Sequence, residues 1–314
     1  MKILKSVTKI YNKLSPFGKI CIFLALFLSL IVLFKSIIPT KEGMTDGNEF
    51  LLKESVLLKS GDAVYDNFYA NIYDYLVFNK LKNNYEVGKI ITSSNPSKQS
   101  VIADIGCGTG HQVEELRKKN LKIIGIDKSP SMIEVAKQNF PLSDYNVGNA
   151  LDNGLFKPNS LTHILCLYFT IYYMDNKQQF FNNAISWLMP GGYLFIHLVD
   201  REHFDPILPP GNPLFIVSPQ KYAKKRITNT KITFDDFVYS SNFNLDPGKN
   251  IATFDEKFKF KNGKLRKQQQ KLYMEDTSYI VNMAQDAGFI LHAKEDMLKC
   301  GYENQYIYIF TKPA

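Results

Sequence analysis

From Val101 onward, short apolar runs alternate with amphipathic stretches. "VIADI" (101–105) reads as a buried strand, "HQVEELRKKN" (111–120) as a charged amphipathic helix and "KIIGID" (122–127) as a second strand. "SPSMIEVAKQNF" (129–140) follows as a helix with Ser129 as its cap and Pro130 in its first turn. "LTHILCLYFTIYY" (161–173) is a strand running into an aromatic loop, "NKQQFFNNAISWLM" (176–189) a helix and "GGYLFIHLVD" (191–200) a strand. Such alternation predicts an α/β fold: a parallel sheet with helices on both faces, binding its ligand at the carboxyl ends of the strands. Upstream, "FLLKESVLLKS" (50–60) and "AVYDNFYANIYDYLVFNKL" (63–81) both read as helices, and "TSSNPSKQS" (92–100) is a polar break.

Two further regions depart from this pattern. Residues 20–38 carry almost no polar group apart from Lys35. As a helix that run would span roughly 28 Å, close to a bilayer's hydrocarbon thickness, with Lys35 able to reach the interface. No small-residue cleavage site follows, so a retained single-pass, N-terminal membrane anchor is the expectation rather than a cleaved signal. The second region, 201–272, opens with "REHFDPILPPGNPLF", whose prolines suit a lid or docking loop. It continues to "KFKFKNGKLRKQQQKLY", where Asn262-Gly263 signals a β-hairpin. Phe258 and Phe260 should face inward and Lys257, Lys259 and Lys261 outward, the lysines reading as protection of an edge strand. The expected organisation is a tail at 1–19, the span at 20–38, a linker at 39–50 and one domain at 51–314 containing the insertion.

Charge sharpens the first of these readings. The net charge is +8, and residues 1–41 hold seven lysines and no acid, which leaves 8 − 7 = +1 for the rest. The basic character therefore suits a membrane surface more than nucleic acid, which is an unlikely partner. Five lysines before the span put the amino terminus in the cytosol, and a cytosolic cofactor would put the domain there too; the two expectations conflict. The four cysteines show no metal-like or paired spacing and read as free thiols. His111, His163, His197, His203 and His292 are equally unlike a metal set, so no metal is expected.

The chemistry concentrates at "ADIGCGTG" (103–110), where Gly106, Gly108 and Gly110 sit between a strand and a helix. Without a Cβ such a turn lets a ligand lie against the backbone. The spacing misses the dinucleotide pattern, because His111 stands where its third glycine belongs. Asp127, at the end of the second strand, can accept from ribose hydroxyls. Asp104 would repel a pyrophosphate and attract a cofactor that carries an ammonium and a sulfonium.

With these residues in place, the chain resembles the class I S-adenosylmethionine-dependent methyltransferases. "VIADIGCGTG" is similar to their first motif, "IIGIDKSPSMIEVAK" to the second-strand acid and following helix, and "WLMPGGYLFI" to the turn into strand five. "LYMEDTSYIVNMAQDAGFILHAKEDM" and "QYIYIFTK" resemble the late helix and the strand pair that completes the sheet. The resemblance implies a Rossmann-like seven-stranded, mostly parallel sheet with an antiparallel last strand, and S-adenosyl-L-methionine as cofactor. It implies that Asp104, Gly106, Cys107, Gly108 and Gly110 hold the methionine end and Asp127 the ribose. Lys128 and Met132 would flank the adenine, Asn149 and Ala150 meet its edge, and Cys166 begin the wall beside the sulfonium. Asn149 replaces the family's usual acid, and Thr162 or His163 stands where the fourth strand often carries one. Tyr65, Tyr69, Tyr168, Tyr172 and Tyr173 are candidates for the acceptor wall, and His197 for proton transfer.

The function expected is methyl transfer to a small molecule, a lipid-associated molecule or a protein side chain, in that order. A binding or scaffold protein that keeps the fold without turnover is the first rival, and a nucleic-acid methyltransferase using the basic hairpin the second.

Overall fold

The computed structural model describes Ser15, Gly18, Lys19, residues 56–211 and residues 218–314. The expected membrane span, the linker and most of the basic tail lie outside the described residues. Among the described residues no helix is long and apolar enough to cross a membrane. The chain divides into two units, Met1–Lys53 and Glu54–Ala314, and both sheets belong to the second.

The central sheet has seven strands in the order β11-β12-β6-β5-β2-β3-β4. β2 (Val101–Ile105), β3 (Lys122–Asp127), β4 (Asp144–Val147), β5 (Leu161–Cys166) and β6 (Leu188–Val199) run parallel. β12 (Gln305–Thr311) lies antiparallel between β6 and β11 (Ile290–Asp296). The order reverses at β2, and that switch point opens the crevice where such sheets bind ligands.

Alternate residues of these strands feed opposite layers. Ala103, Ile105, Ile164, Cys166, Leu194 and Ile196 pack with Phe180, Phe181, Ala184 and Trp187 of α5 (Lys177–Trp187) and Ile280 and Ala284 of α6 (Thr277–Asp286). Ile102, Leu165, Phe195, Ile307 and Ile309 face Val87 and Ile90 of α2 (Lys80–Ser94) and Val113 and Leu116 of α3 (His111–Arg117). Burying a side chain of this kind contributes about 2 kcal/mol. α4 (Pro130–Asn139) starts as its sequence predicts, with the Ser129 hydroxyl accepting from the Met132 N–H at 3.2 Å.

The amino-terminal reading needs two corrections. The stretch read as a helix at 50–60 contains β1 (Val56–Ser60), because its backbone pairs in parallel with β10 (Leu265–Tyr273), some 200 residues later in the chain. The stretch at 63–81 is two helices, not one. α1 (Asn67–Val77) ends where the Asn79 side chain turns to accept from the Lys82 N–H at 3.1 Å and caps α2. β4 was not anticipated at all; four residues at a sheet edge leave too short a pattern.

The insertion is larger than a hairpin. β7 (Asn229–Thr233), β8 (Phe237–Asp246), β9 (Ile251–Phe260) and β10 join β1 in a second sheet, ordered β1-β10-β9-β8-β7. The expected hairpin is β9–β10, with Phe258 buried and Lys257, Lys259 and Lys261 exposed. Its lysines do not guard an edge, because both strands are interior and the edges are β1 and β7. α1 is packed between this sheet and α4: Tyr69, Ala70 and Leu76 meet Tyr239 and Phe258 on one side and Met132 and Val135 on the other.

Candidate functional site

The turn after β2 is tied down by its own backbone. The N–H groups of Gly106 and Cys107 both donate to the Ile126 carbonyl, at 2.7 and 3.0 Å, which locks the turn to β3. Gly106 (φ +71°) and Gly110 (φ +90°) cannot carry side chains. A Cβ on the first would lie 2.5 Å from Thr170, and on the second 2.4 Å from the Tyr145 hydroxyl. Asp127 closes the turn from below, its carboxylate accepting from the Gly108 N–H at 3.0 Å and the Ser129 N–H at 2.9 Å. Burial nevertheless holds its pKa above the usual carboxylate range.

A cleft of about 760 Å³ opens over this turn. Gly106, Gly108, Asp127, Lys128, Met132, Asn149 and Ala150 line it together with Tyr65, Tyr168 and Tyr173. Lys128 forms an ion pair with Asp62, another lining residue. The Asn149 side-chain oxygen accepts from the Leu151 N–H at 3.0 Å, so it is already engaged locally and its amide nitrogen is the free group.

Asp104 and Cys107 line a smaller cavity of about 100 Å³, which shares Tyr73, Gly106, Gly108 and Tyr168 with the cleft. Burial, then the Glu86 and Asp127 carboxylates, raise the Asp104 carboxyl to about 8, against one nearby cation, Lys82. Three carboxyl groups to one ammonium is a donor set that favours a further cation. Lys82 and Glu86, 2.9 Å apart, were not anticipated, because an i, i+4 pair on a helix reads as solvated surface. Asp74, accepting from Thr109 Oγ1 at 2.6 Å and pairing with His111 Nε2 at 2.8 Å, was missed because its partners lie 35 and 37 residues further along the chain.

A third cavity, of about 70 Å³, adjoins the cleft. Tyr65, Tyr73, Tyr168, Phe169, Tyr173 and Gln270 line both. Its remaining wall includes Tyr69, the loop from Phe204 to Pro209, and Phe243 and Phe254 of the second sheet. Arg226 holds that loop by donating to the Phe204 carbonyl at 2.6 Å and the Arg201 carbonyl at 2.9 Å. Gln270 Oε1 accepts from the hydroxyls of Tyr65, at 2.9 Å, and of Tyr173. Buried Glu256 accepts from the Tyr69 and Tyr239 hydroxyls, at 3.0 and 2.7 Å, and from the amides of Gln268 and Gln270, both at 2.7 Å.

Several candidate residues lie elsewhere. Gly110 lines no described cavity; its positive φ makes room for Tyr145. Cys166 is buried in the apolar layer beneath the sheet. Tyr172 is buried, its hydroxyl accepting from the Val199 N–H at 2.9 Å. His197, paired with Ile307 of β12, faces the α2 and α3 layer and lines neither the cleft nor the tyrosine cavity. Its ring nitrogens make no hydrogen bond of ordinary geometry, Gln305 being the polar side chain beside them, and burial, with Lys82 nearby, pushes its pKa down to about 3. A histidine so placed is a neutral packing residue, and the register of β6 is the reason. Thr162 and His163 sit at the opposite end of β5 from the cleft, Thr162 clipping the Val101 backbone at 2.9 and 3.0 Å.

Residues 103–196 match the family model described as a methyltransferase domain. The chain is 30% identical over 141 residues to dTDP-4-amino-2,3,4,6-tetradeoxy-D-glucose N,N-dimethyltransferase of Saccharopolyspora spinosa, covering 43% of this chain and 55% of that one. It is 27% identical over 116 residues to ubiquinone biosynthesis O-methyltransferase of Coxiella burnetii, covering 36% and 50%. The chain thus spans about half the length of these curated relatives. Among solved structures, an S-adenosylmethionine-dependent methyltransferase from Clostridium acetobutylicum aligns with a TM-score of 0.59 at 16% identity, over 79% of this chain and 99% of that one. The CcbJ methyltransferase from Streptomyces caelestis aligns at 0.61 and 15%, over 81% and 99%.

The fold is that of the class I methyltransferases. S-adenosylmethionine is the cofactor that this cleft fits: a turn with glycine at every second position, an acid at the end of the second strand and a carboxyl-rich end that calls for a cation.

Proposed function

We propose that this chain is a membrane-anchored methyltransferase that transfers a methyl group to the nitrogen of a small-molecule amine. The observation that carries the amine is the direction of the tyrosine hydroxyls. The Tyr65 and Tyr173 hydroxyls donate to Gln270, whereas that of Tyr69 donates to Glu256 and accepts from the Gln270 amide at 3.2 Å. What the Tyr65 and Tyr173 oxygens can offer the cavity is lone pairs, which accept from an N–H or an O–H. A neutral amine attacks through its own lone pair, whereas an alcohol needs a base, which tyrosines already donating to Gln270 do not supply. The name of the Saccharopolyspora relative supports a nitrogen acceptor, whereas that of the Coxiella relative is an O-methyltransferase.

When bound, S-adenosylmethionine supplies an electrophilic methyl group on a sulfonium. The chain's own part is placement. Asp127 would hold the ribose hydroxyls and Asp104 the ammonium, while Tyr65, Tyr168 and Tyr173, shared by cleft and cavity, would set the acceptor in line with the methyl. Holding two reactants in line supplies most of the acceleration such a displacement needs. A cavity of about 70 Å³ admits an amino group and its neighbouring atoms, with the rest of a larger acceptor left in the cleft. The anchor rests on the apolar run at 20–38 and the lysines before it.

The test is calorimetry with S-adenosylmethionine and S-adenosylhomocysteine, followed by a panel of small amines and alcohols with a labelled methyl donor. Failure to bind either cofactor form sinks the reading. Label in alcohols but not amines overturns the choice of atom.

A further inference from the structure

The second sheet has a face that the site does not use. Register sets its composition, because paired residues on neighbouring strands point to the same side. One row across all five strands is Leu58, Lys267, Lys257, Ser240 and Lys231. The next is Val56, Leu265, Lys259, Val238 and Thr233, and on the other side lies Ser60, Gln269, Asp255, Asn242 and Asn229. This is the outward face, Leu265 being the one residue of these rows that is buried: Phe258, Glu256 and Tyr239, one position along, are buried against the interior.

The outward face therefore shows Lys231, Lys257, Lys259 and Lys267 against a single acid in these rows, Asp255. None of these lysines has a carboxylate within 4.0 Å among the described residues, while Asp255 accepts from the side-chain amides of Asn244 and Gln269. At one end the turns balance, Asp235 and Asp236 against Lys261 and Lys264. At the β1 corner the surface turns apolar, Leu58 being 70% and Val56 45% exposed. Unpaired lysines inside a sheet, beside exposed aliphatic side chains, do not serve edge protection.

We infer that this face docks on a membrane surface carrying anionic lipid headgroups. The proposal rests on the anchoring reading above and extends it from the amino-terminal run to the folded domain. Two observations choose the occupant. The charge is complementary to phosphate headgroups, and lysines near such a surface each contribute attraction. In sequence, β1 also follows the apolar run at 20–38 after a stretch of 17 residues, so a span there would tether this corner within reach of the same membrane. Lys271 and Gln269, on the same face, line the cofactor cleft, so docking would bring the cleft mouth to the lipid surface.

The experiment uses the full chain reconstituted in vesicles of phosphatidylcholine, alone or mixed with phosphatidylglycerol. Recovery with neutral vesicles reports the amino-terminal run. The face is read separately, from the rates at which an amine-reactive reagent labels Lys231, Lys257 and Lys267 relative to exposed Lys119 and Lys122. On anionic vesicles only, labelling of the three should slow about five-fold relative to the controls, and salt should restore it. In the variant K231E/K257E/K267E the slowing should vanish at Lys259, the remaining exposed lysine of these rows, and the variant should still bind S-adenosylmethionine. Equal rates on both vesicles overturn the proposal even where the chain floats with neutral lipid. So does protection by a single-stranded oligonucleotide in place of vesicles.

Discussion

The cofactor cleft and the tyrosine cavity beside it are built from different materials. The floor of the cleft is mostly backbone: a turn pinned by two N–H bonds to Ile126, glycines at 106 and 110 with no room for a Cβ, and Asp127 held by two more amides. All of this lies within residues 104–150. The cavity is mostly side chain, drawn from α1, the loop after β5, the loop at 204–209 and the strands β8 to β10. A site made of backbone tolerates little change and can serve one ligand across many chains. A site made of side chains from distant segments can be refitted one wall at a time, which suits an acceptor that differs between relatives.

Four outcomes test that contrast. Asp127→Ala should weaken S-adenosylmethionine about 100-fold, the loss of a buried, charged acceptor for two hydroxyls, as measured by calorimetry. An unchanged affinity would mean that the ribose does not sit there.

The second concerns pH. Burial, with Glu86 and Asp127 nearby, raises the Asp104 carboxyl to about 8, so below that pH it keeps a proton that a bound ammonium must displace. Cofactor affinity should therefore rise roughly ten-fold per pH unit from 6 towards 8 and then level off. Folding of the cofactor-free protein runs the other way. A carboxyl raised from 3.8 when folded contributes its stability below pH 4 and loses it as pH climbs through about 8. Asp104→Asn should flatten both profiles; a flat wild-type titration would refute the placement.

Third, Gln270→Leu should lower kcat/KM for the acceptor about five-fold, a hydrogen bond's worth of about 1 kcal/mol, with a smaller loss, under about two-fold, in cofactor affinity because Gln270 also borders the cleft. Equal damage to both ligands would erase the distinction between cleft and cavity. The smallest effect belongs to His197→Leu. It should leave turnover within about two-fold, because a buried neutral histidine that lines neither the cleft nor the tyrosine cavity cannot pass a proton to either ligand.

How much of this could be read from the chain follows the same division. Apart from β4, strand, turn and helix from Val101 to Val199 are local: each apolar run, the Ser129 cap and the three glycines act within a few residues, and these appear where the pattern puts them. The hairpin at Asn262-Gly263 is local too. β1 was misread because "VLLKS" is a strand only by virtue of its pairing with β10. Lys82, Glu86 and Gln270 were missed because a charged pair on a helix and a glutamine in a strand carry no mark of what they will face.

The order of elements along the chain, its periodicities and its glycine turn determined the central sheet and the place of the cofactor, since those depend on neighbours in sequence. Tertiary structure alone decided which tyrosines open into a cavity, that His197 and Cys166 turn away from it, and that five lysines gather on one face. Those are questions of strand register and of contacts between segments up to 200 residues apart, and a one-residue shift in register would move every such side chain to the other side.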